Sequence, residues 1–387
     1  FSTHTPQTPI PLRLVGSEMC IRDRYIDLMK IGSPKEIKNN EYRIGLNPSS
    51  VKVLIEDGHE VFIETNGGEG IGCSDEDYIR AGAKITSAEE LFTSSELIVK
   101  VKEPVAQELC CLNKDHILFT YLHLAGNEAN AVALAKTGVT ALAYETVTSD
   151  LEPLPLLSPM SEIAGQLAFV VGSNYLLKHN KGMGKLLGYS DEIDAATVTV
   201  VGAGAAGKQA IQKAVASGAN VKIIDLSEKK LAELESEFGS SNINYILSSP
   251  RAIFEAVKTT DLLIGAVYVI GKTAPKVFTQ DMIKAMKPGS VFVDISIDQG
   301  GCSETSKPTT HDNPIYVYED VIHYCVTNMP GSVPVTSTNA LNTVTLPYIR
   351  NIANNGLKDA LQNDQGLRGG LNIQDGKIVH QLSLIHI

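Results

Sequence analysis

The sequence predicts an α/β fold made of two doubly wound parallel sheets with a cleft between them. Short apolar strands alternate with amphipathic helical segments along the 387 residues, which is typical of parallel sheets covered by helices on both faces. A β-branched run at Thr197–Val201 leads into a glycine-rich turn, a helix and a second strand. The last predicted helix, 339–354, has no strand before it, so we expect it to return to the first half and make that domain discontinuous.

The first half predicts a doubly wound domain without a nucleotide-binding turn of its own. Asn47 and Pro48 are a favourable cap and first residue for a helix that Gly58 ends. The glycines within 67–70 open no helix of the right form, so a plain turn is the better interpretation. The predicted strands are 29–32, 61–63, 97–101, 117–122 and 139–144, and the further helices are 75–83 and 127–136. A nucleotide-type fold that lacks the nucleotide turn is a natural place for a substrate.

The second half contains the strongest single motif of the chain. Gly202, Gly204 and Gly207 follow a strand in the spacing G-x-G-x-x-G. In a dinucleotide site the first glycine permits a tight turn, the second lets the diphosphate approach the backbone, and the third lets helix and strand pack closely. Asp225 ends the next strand, where a carboxylate binds the ribose roughly 20 residues after the turn. This acid favours NAD over NADP because it would repel a 2′-phosphate, although two lysines lie nearby.

The rest of the second half continues the alternation of strands and helices. Helices are predicted at 228–238, 253–258 and 281–286, and strands near 245 and at 262–267, 290–295 and 322–326. Open sheets of this kind bind ligands beyond the carboxyl ends of their strands. We therefore expect the residues that carry chemistry to lie at those ends.

Composition and charge exclude several classes of protein. The chain carries 33 basic and 44 acidic side chains and a net charge of −11, which opposes binding to nucleic acid or an anionic membrane and suits a cytoplasmic enzyme. The longest strongly apolar run, 262–270, is far shorter than the ~20 residues of a membrane-spanning helix. The six cysteines are scattered without metal-ligand spacing, so we interpret them as reduced thiols and expect no metal site.

Polar residues at strand ends and in loops are the candidates for chemistry. Lys102 lies at the end of a strand, where it could bind a ligand or be half of a solvated edge pair. His123 closes an apolar strand and is either an acid–base group or a structural histidine. Asp298 follows another strand and is either a catalytic group or a turn-forming residue. Arg43 on its own would pass for a surface residue, and Ser161 is better explained as a helix cap than as a nucleophile.

The two ends of the chain do not continue the periodic pattern beside them. The segments 15–24 and 382–387 resemble translated adapter sequence. We therefore expect residues 1–28 and 382–387 to be non-native flanks and the natural chain to start at Met29. Between the flanks, we expect a substrate domain at 29–155 plus 334–381 and a dinucleotide-binding domain at 156–333.

Seven motifs stand out in order along the chain. They are MKIGSPKEIKNNEYRIGLNP from Met29, VKVKEP from Val99, ILFTYLHLA from Ile117, AYETV from Ala143, LPLLSPMSEIAG from Leu154, VDISIDQGGCSETSKPTTH from Val293 and HYCVTNMPGSVP from His323. Together they resemble the alanine dehydrogenase family, whose superfamily also includes the nucleotide-binding subunit of transhydrogenase. The resemblance runs from Met29 to about residue 381, and its long, ordered motifs are far more specific than the glycine turn.

The resemblance implies a reaction, a cofactor and an assembly. The reaction is the NAD-dependent oxidative deamination of L-alanine to pyruvate and ammonia, with reductive amination in reverse, by hydride transfer. The family is typically a hexamer, so the resemblance implies a homohexamer whose Rossmann-like domains close a cleft on the small-molecule substrate. Two alternatives remain open: the nucleotide-binding component of a proton-translocating NAD(P) transhydrogenase, and a non-catalytic NAD-binding protein.

The resemblance also implies roles for individual residues. Arg43 and Lys102 match the residues that bind the substrate carboxylate and carbonyl, and His123 matches the general acid/base. Asp298 matches an aspartate that works beside the nicotinamide and completes the catalytic pair. The other matched cofactor contacts, besides the three glycines, are Ser161, Asp225, Lys230, Asn328 and Met329.

Three positions depart from the family pattern. Gln166 stands where an arginine is usual, Val335 where a basic residue is usual, and Asn339 where an aromatic residue is common. We expect all three near the junction of the domains, where they concern subunit or domain packing more than the reaction.

Overall fold

The chain folds around two parallel-dominated sheets, one of eight strands and one of seven. The computed structural model describes residues 28–124, 127–188, 190–269 and 273–380. The two predicted flanks therefore lie outside the described residues, apart from Leu28. No helix within the described part of the chain is both long and apolar enough to cross a membrane.

The elements follow the predicted alternation. The strands are β1 (Lys30–Ser33), β2 (Glu60–Glu64), β3 (Lys84–Thr86), β4 (Leu97–Val99), β5 (Ile117–Thr120), β6 (Thr140–Ala143), β7 (Thr197–Val201), β8 (Asn220–Asp225), β9 (Ile243–Leu247), β10 (Leu262–Gly265), β11 (Val291–Asp294), β12 (Ile315–Tyr318), β13 (Val321–Tyr324), β14 (Leu371–Gln374) and β15 (Lys377–Ile378). The helices are α1 (Pro48–Glu56), α2 (Asp75–Arg80), α3 (Ala88–Ser94), α4 (Ala106–Leu109), α5 (Glu128–Lys136), α6 (Ser158–Tyr175), α7 (Ala205–Ala216), α8 (Glu228–Phe238), α9 (Pro250–Val257), α10 (Gln280–Lys284), α11 (Pro334–Asn363) and α12 (Gln365–Gly369).

Both sheets are parallel in the middle and antiparallel at one edge. The first sheet has the order β15-β14-β6-β5-β4-β1-β2-β3, and β14 runs antiparallel to both of its neighbours. The second has the order β12-β13-β11-β10-β7-β8-β9, and β12 runs antiparallel to β13. The α/β prediction is confirmed, while the antiparallel edges were not predicted. Each is a hairpin whose turn contains residues with positive φ, Glu319 and Asp320 in one and Asp375 and Gly376 in the other.

Apolar residues are buried on both faces of each sheet. Leu118 and Phe119 are neighbours on β5 but belong to different hydrophobic clusters, because successive side chains of a strand point to opposite faces. Leu263 and Ile264 divide in the same way on β10. Helices therefore cover both faces of both sheets, as a doubly wound fold requires.

The first domain is discontinuous, as predicted. Leu341, Ile349 and Ala360 of α11 are buried in the same core as residues of β1 and β2. The strands β14 and β15 then extend the first sheet beyond β6. Gly356 (φ 74°, ψ 152°) interrupts α11, so the helix packs as two segments.

Helix α6 connects the two domains and was not among the predicted elements. Met160 near its start is buried in the first core, and Ala168 further along is buried in the second. The interpretation of Ser161 as a helix cap is wrong. The backbone N–H of Ser161 already bonds to Leu157 O at 3.1 Å, so Ser161 lies inside the first turns of α6. A turn starting at residue 154 leads straight into the helix, and Pro159 occupies a favourable early position in it.

The three departures from the family pattern lie on α6 and α11. Gln166 donates a hydrogen bond to Gln209 Oε1 on α7 at 3.1 Å. Asn339 accepts one from Asn47 Nδ2 at 2.9 Å, next to the start of α1. Val335 is 52% exposed near the start of α11. Two of these residues therefore have polar partners between elements, and the third is at the surface.

His323 is buried inside the second sheet as a neutral imidazole. One ring nitrogen lies 2.8 Å from Thr305 Oγ1 and the other 3.0 Å from Val321 O, and the ring stacks on Tyr316. Burial lowers the pKa of His323 from its usual 6.5 to about 4. The unfolded chain therefore binds a proton at His323 at a higher pH than the folded chain does.

This shift predicts that acid destabilises the fold through His323. The stabilisation is complete above about pH 6.5 and is lost progressively as the pH falls towards 4, by up to about 3 kcal/mol. We expect His323→Phe to flatten this part of the curve of unfolding free energy against pH, measured by urea denaturation. Thr305 keeps Ser303 as a partner in that variant. His179→Gln at the exposed surface is the control, and equal pH dependence in the two variants would contradict the assignment.

Candidate active site

The glycine turn between β7 and α7 has the backbone that its sequence predicts. Gly202 has a φ of 92°, and a Cβ there would lie 2.3 Å from Ala266 O. A Cβ on Gly207 would lie 1.8 Å from Gly202 O. Only glycine fits at these two positions, because the turn, the helix and the neighbouring strand end approach so closely. Gly204 differs, since no atom of the described part of the chain lies within 4 Å of the position of its Cβ.

This turn fits a dinucleotide. The open space at Gly204 lies directly before the first residues of α7, whose N–H groups have no partner inside the helix. Such a helix end attracts the negative charge of a diphosphate. Asp225 ends the adjacent β8, and its carboxylate accepts hydrogen bonds from Ala203 N at 2.7 Å and Ser227 N at 2.9 Å. Ser227 also caps α8 by accepting from the backbone N–H of Lys230.

Arg43 is buried where the first loop meets residues of the second domain. Its side chain is 2% exposed, and Glu41 accepts from its Nε at 2.7 Å and from Nη2. Nη2 also donates to Asn328 Oδ1 at 2.7 Å, while Met160 Sδ, at 3.2 Å, is the one acceptor that Nη1 has among the described residues. Burial alone would raise the pKa of Glu41, but the hydrogen bond and charge of Arg43 lower it to about 2. Arg43 is therefore not a surface residue.

Lys102 is a buried cation without a paired carboxylate among the described residues. The residue is 7% exposed, and it follows β4, which lies inside the sheet between β1 and β5. The alternative of a solvated edge pair is therefore wrong. Burial lowers the pKa of Lys102, the charge of Asp298 opposes this shift, and the charge of Arg43 adds to it. The neighbouring Glu103 is paired instead with Lys38.

His123 lies at the end of β5 in an unusual backbone conformation. Its φ is 47°, and Glu145 accepts from its backbone N–H at 2.6 Å and from that of Leu122 at 3.1 Å. The imidazole stacks on Tyr121, with ring centres 5.8 Å apart and planes 15° apart. Burial and the charge of Lys102 lower the pKa of His123, while nearby carboxylates, including Asp298, oppose the shift. The imidazole is therefore neutral near pH 7.

Asp298 reaches this group of residues from the second domain. It lies in a short 3-10 helix, Ile295–Gln299, that directly follows β11. Its Oδ1 accepts from Asn328 N at 3.3 Å. Asn328 has a left-handed backbone (φ 62°), and its side chain donates to Glu41 at 2.9 Å while accepting from Arg43. One residue thus touches the arginine of the first domain and the aspartate of the second.

The structure brings together most of the predicted site residues. Arg43, Lys102, His123, Asp298 and Asn328 are linked by hydrogen bonds or by their effects on one another's pKa. Met329 follows Asn328 and is buried in the second core. Ser161 lies on α6 next to the methionine that touches Arg43, and Lys230 lies on α8 beyond Asp225.

The carboxylates that hold these residues were not among the predicted site residues. Glu36, Glu41 and Glu145 are separated along the chain, and each accepts backbone N–H groups or pairs with a cation in the site. Their local signal is that they lie within the motifs that resemble the family. Within the described residues, no group of three or more His, Cys, Asp or Glu is arranged to hold a metal ion.

The fold and the site together define a class of protein. One sheet carries a glycine turn that fits a dinucleotide, and Asp298, beyond a strand of the same sheet, interacts with the buried Lys102 and His123 of the other. This combination is that of two-domain oxidoreductases that use a nicotinamide dinucleotide.

Comparisons with known proteins identify the family within this class. The N-terminal domain model of the alanine dehydrogenase/PNT family matches residues 32–164, and the C-terminal domain model matches residues 168–381. Alanine dehydrogenase of Staphylococcus haemolyticus is 49% identical over 354 residues, which are 91% of this chain and 95% of that protein. Alanine dehydrogenase of Halomonas elongata is 46% identical over the same shares of the two chains.

Comparison with solved structures supports the same family. An L-alanine dehydrogenase is 47% identical, with a TM-score of 0.88 over 92% of this chain and 99% of the other. A transhydrogenase from Sinorhizobium meliloti, at 24% identity and a TM-score of 0.79 over 90% of this chain and 100% of the other, shares the fold. The chain belongs to the alanine dehydrogenase/PNT family, and this membership implies a nicotinamide dinucleotide cofactor.

The different surroundings of the glycines predict different effects of alanine. In Gly204→Ala the methyl group meets no atom of the described residues, so we expect an unchanged Tm but a Kd for NADH raised at least about tenfold, because the methyl would take the space expected for the diphosphate. In Gly207→Ala the same methyl meets Gly202 O, so the Tm falls as well. Thermal melts and NADH fluorescence titrations measure both effects. Wild-type affinity in Gly204→Ala would contradict this place for the diphosphate.

Proposed function

We propose that this protein is an NAD-dependent alanine dehydrogenase, which interconverts L-alanine with pyruvate and ammonia. The observation that carries the proposal is the meeting of Arg43, Lys102 and His123 of the first domain with Asp298 of the second, whose sheet also carries the turn that fits a dinucleotide. When bound, the nicotinamide accepts hydride from alanine or donates it in the reverse direction. The other steps fall to side chains of the two domains.

Arg43 binds the substrate carboxylate in this proposal. Glu41 already occupies Nε and one hydrogen of Nη2, so the substrate cannot use that edge of the guanidinium. The available donors are on Nη1, which faces only a weak sulfur acceptor, and on Nη2 where Asn328 now accepts. A bidentate carboxylate would therefore displace the side chain of Asn328.

Lys102 and His123 act at the reacting carbon. The buried ammonium of Lys102 polarises the carbonyl of pyruvate and stabilises the negative charge that develops on its oxygen. His123 is neutral near pH 7, so it can take a proton from the attacking water during deamination or from a carbinolamine hydroxyl. Asp298 approaches both from the cofactor side, where it completes the catalytic pair with His123.

Several further properties belong to the same proposal. Asp225, at the end of β8, supports NAD rather than NADP, with Ser161, Lys230, Asn328 and Met329 as additional cofactor contacts. The two sheets support a substrate domain at 29–155 plus 334–381 and a cofactor domain at 156–333. The family resemblance supports a homohexamer, and the net charge of −11 suits the cytoplasm.

An assay of NADH oxidation tests the proposed function. The enzyme is given NADH with pyruvate, glyoxylate or larger 2-oxo acids, each with and without ammonium, and the pyruvate reaction is repeated with NADPH. We expect oxidation only when pyruvate and ammonium are both present, and a strong preference for NADH. Hydride transfer to a second nicotinamide with pyruvate ignored would favour the transhydrogenase alternative. NADH binding without any turnover would favour a non-catalytic protein.

The proposed role of His123 predicts that its replacement lowers turnover without weakening the binding of NADH. We expect His123→Ala to lower kcat by roughly 10²- to 10⁴-fold, because the acid/base group is lost, while the Kd for NADH stays within about twofold. His179→Ala, at the exposed surface, is the matched control and should behave as wild type. Near-normal kcat in His123→Ala would refute its assignment as the acid/base group.

A further inference from the structure

The loop that carries Arg43 touches the segment that carries Lys102. An isolated antiparallel bridge between Lys35 and Ile44 closes this first loop at its base. Just after it, a Cβ on Gly45 would lie 2.3 Å from Val99 O, the last residue of β4. The backbones of the two segments therefore approach as closely as glycine allows. The position of one segment constrains the position of the other.

Glu36, in the first loop, accepts hydrogen bonds from this neighbouring segment. Its Oε1 accepts from Val101 N at 2.6 Å and from Lys102 N at 3.2 Å. Its Oε2 accepts from Lys100 Nζ at 3.1 Å. The ladder between β1 and β4 ends at Ile98, so the N–H groups beyond it have no strand on that side. The carboxylate of Glu36 takes the place of the missing strand.

Three charged side chains are buried together beside the backbone segment that leads to Lys102. Lys100 is fully buried, and its ammonium lies between the carboxylates of Glu36 and Glu108, each 6% exposed. Burying charged groups is expensive, and apolar residues of the same size usually stabilise a fold at least as well. The burial of these three charges is therefore weak evidence that they stabilise the fold. What it does provide is one geometry for the backbone at residues 100–102.

The position of the Lys102 side chain depends on this backbone geometry. In the described structure its ammonium makes no ion pair, although Lys100, two residues earlier, makes two. No carboxylate among the described residues therefore fixes the position of this ammonium. Its place must then be set through its own backbone and through packing.

We propose that Glu36 is a positioning residue that sets the spacing between the guanidinium of Arg43 and the ammonium of Lys102. It does so by holding the backbone of Lys102 against the loop that carries Arg43. The inference rests on the proposed function, in which these two cations bind the carboxylate and the carbonyl of one small substrate. A misplacement of about 1 Å between such groups costs up to ~100-fold in rate.

Glu36→Gln tests the inference with little change in volume. A carboxylate can accept from all three donors, whereas glutamine offers one oxygen and turns an NH₂ group towards a remaining N–H or ammonium. We expect the KM for pyruvate to rise ~10- to 100-fold at saturating NADH and ammonium, with the Kd for NADH within about twofold. The Kd for oxamate on the enzyme with NADH should rise in parallel, and it measures substrate binding without turnover.

Two matched variants separate positioning from a general effect of removing a buried charge. Glu64→Gln removes a half-buried carboxylate that accepts from the backbone N–H of Lys35 at 2.9 Å, next to Glu36, but makes no hydrogen bond to residues 100–102 in the described structure. We expect its KM to stay within about threefold of wild type. Glu108→Gln removes the second partner of Lys100 but keeps both bonds from Glu36 to the backbone, so its KM should lie nearer to wild type than that of Glu36→Gln.

Glu36→Asp provides the second measurement if the glutamine variant does not fold. It keeps the charge but is one methylene too short to reach all three donors, so the KM for pyruvate should again rise. A folded Glu36 variant with a lower Tm and a wild-type KM would overturn the inference and leave a purely structural role. If the wild-type enzyme itself does not oxidise NADH with pyruvate and ammonium, the proposed function fails instead.

Discussion

The contact between the two domains at the candidate site depends on the buried guanidinium of Arg43. A charge that is removed from water needs a partner, and Glu41 supplies one only two residues away along the same loop. Asn328, from the other domain, completes the hydrogen bonding of the pair. Because Asn328 also touches Asp298 through its backbone, the first loop of the chain is joined directly to the strand ends of the second sheet. The two domains therefore meet at the charges that are proposed to bind substrate, while α6 packs into both hydrophobic cores and α11 into the first.

The pattern of pairing among the cations separates support from chemistry. Lys100 is held by two carboxylates and Arg43 by one, so neither carries a fully free positive charge. Lys102 has no ion pair in the described structure, and its pKa is lowered by burial. Burial also lowers the pKa of His123, whose backbone N–H donates a hydrogen bond to the Glu145 carboxylate. Lys102 and His123, which make no ion pair among the described residues, are the two groups proposed to act at the reacting carbon.

The predictions succeeded where the signal is local. The strand at Thr197–Val201, the glycine turn and α8 agree with the sequence pattern residue by residue, because turn and cap chemistry is written in adjacent residues. The short elements β3 and α3, the edge strand β12 and the hairpin β14–β15 were not predicted. The edge strands among them are short, so their periodicity is weak. Helix α6 was missed because its Ser-Pro-Met-Ser start resembles a turn. Its residues are buried by two different cores rather than along one stripe.

The sequence by itself determined the fold class, the cofactor turn and the family, together with Arg43, Lys102, His123 and Asp298 as candidates. It could do so because strand periodicity, glycine spacing and long motifs are properties of neighbouring residues. Only the tertiary structure decided which carboxylates surround those candidates. Glu36, Glu145 and Asn328 reach their partners from distant parts of the chain, and a through-space contact leaves no mark in the residues beside it. Burial, and with it the direction of each pKa shift, is likewise a property of the assembled molecule.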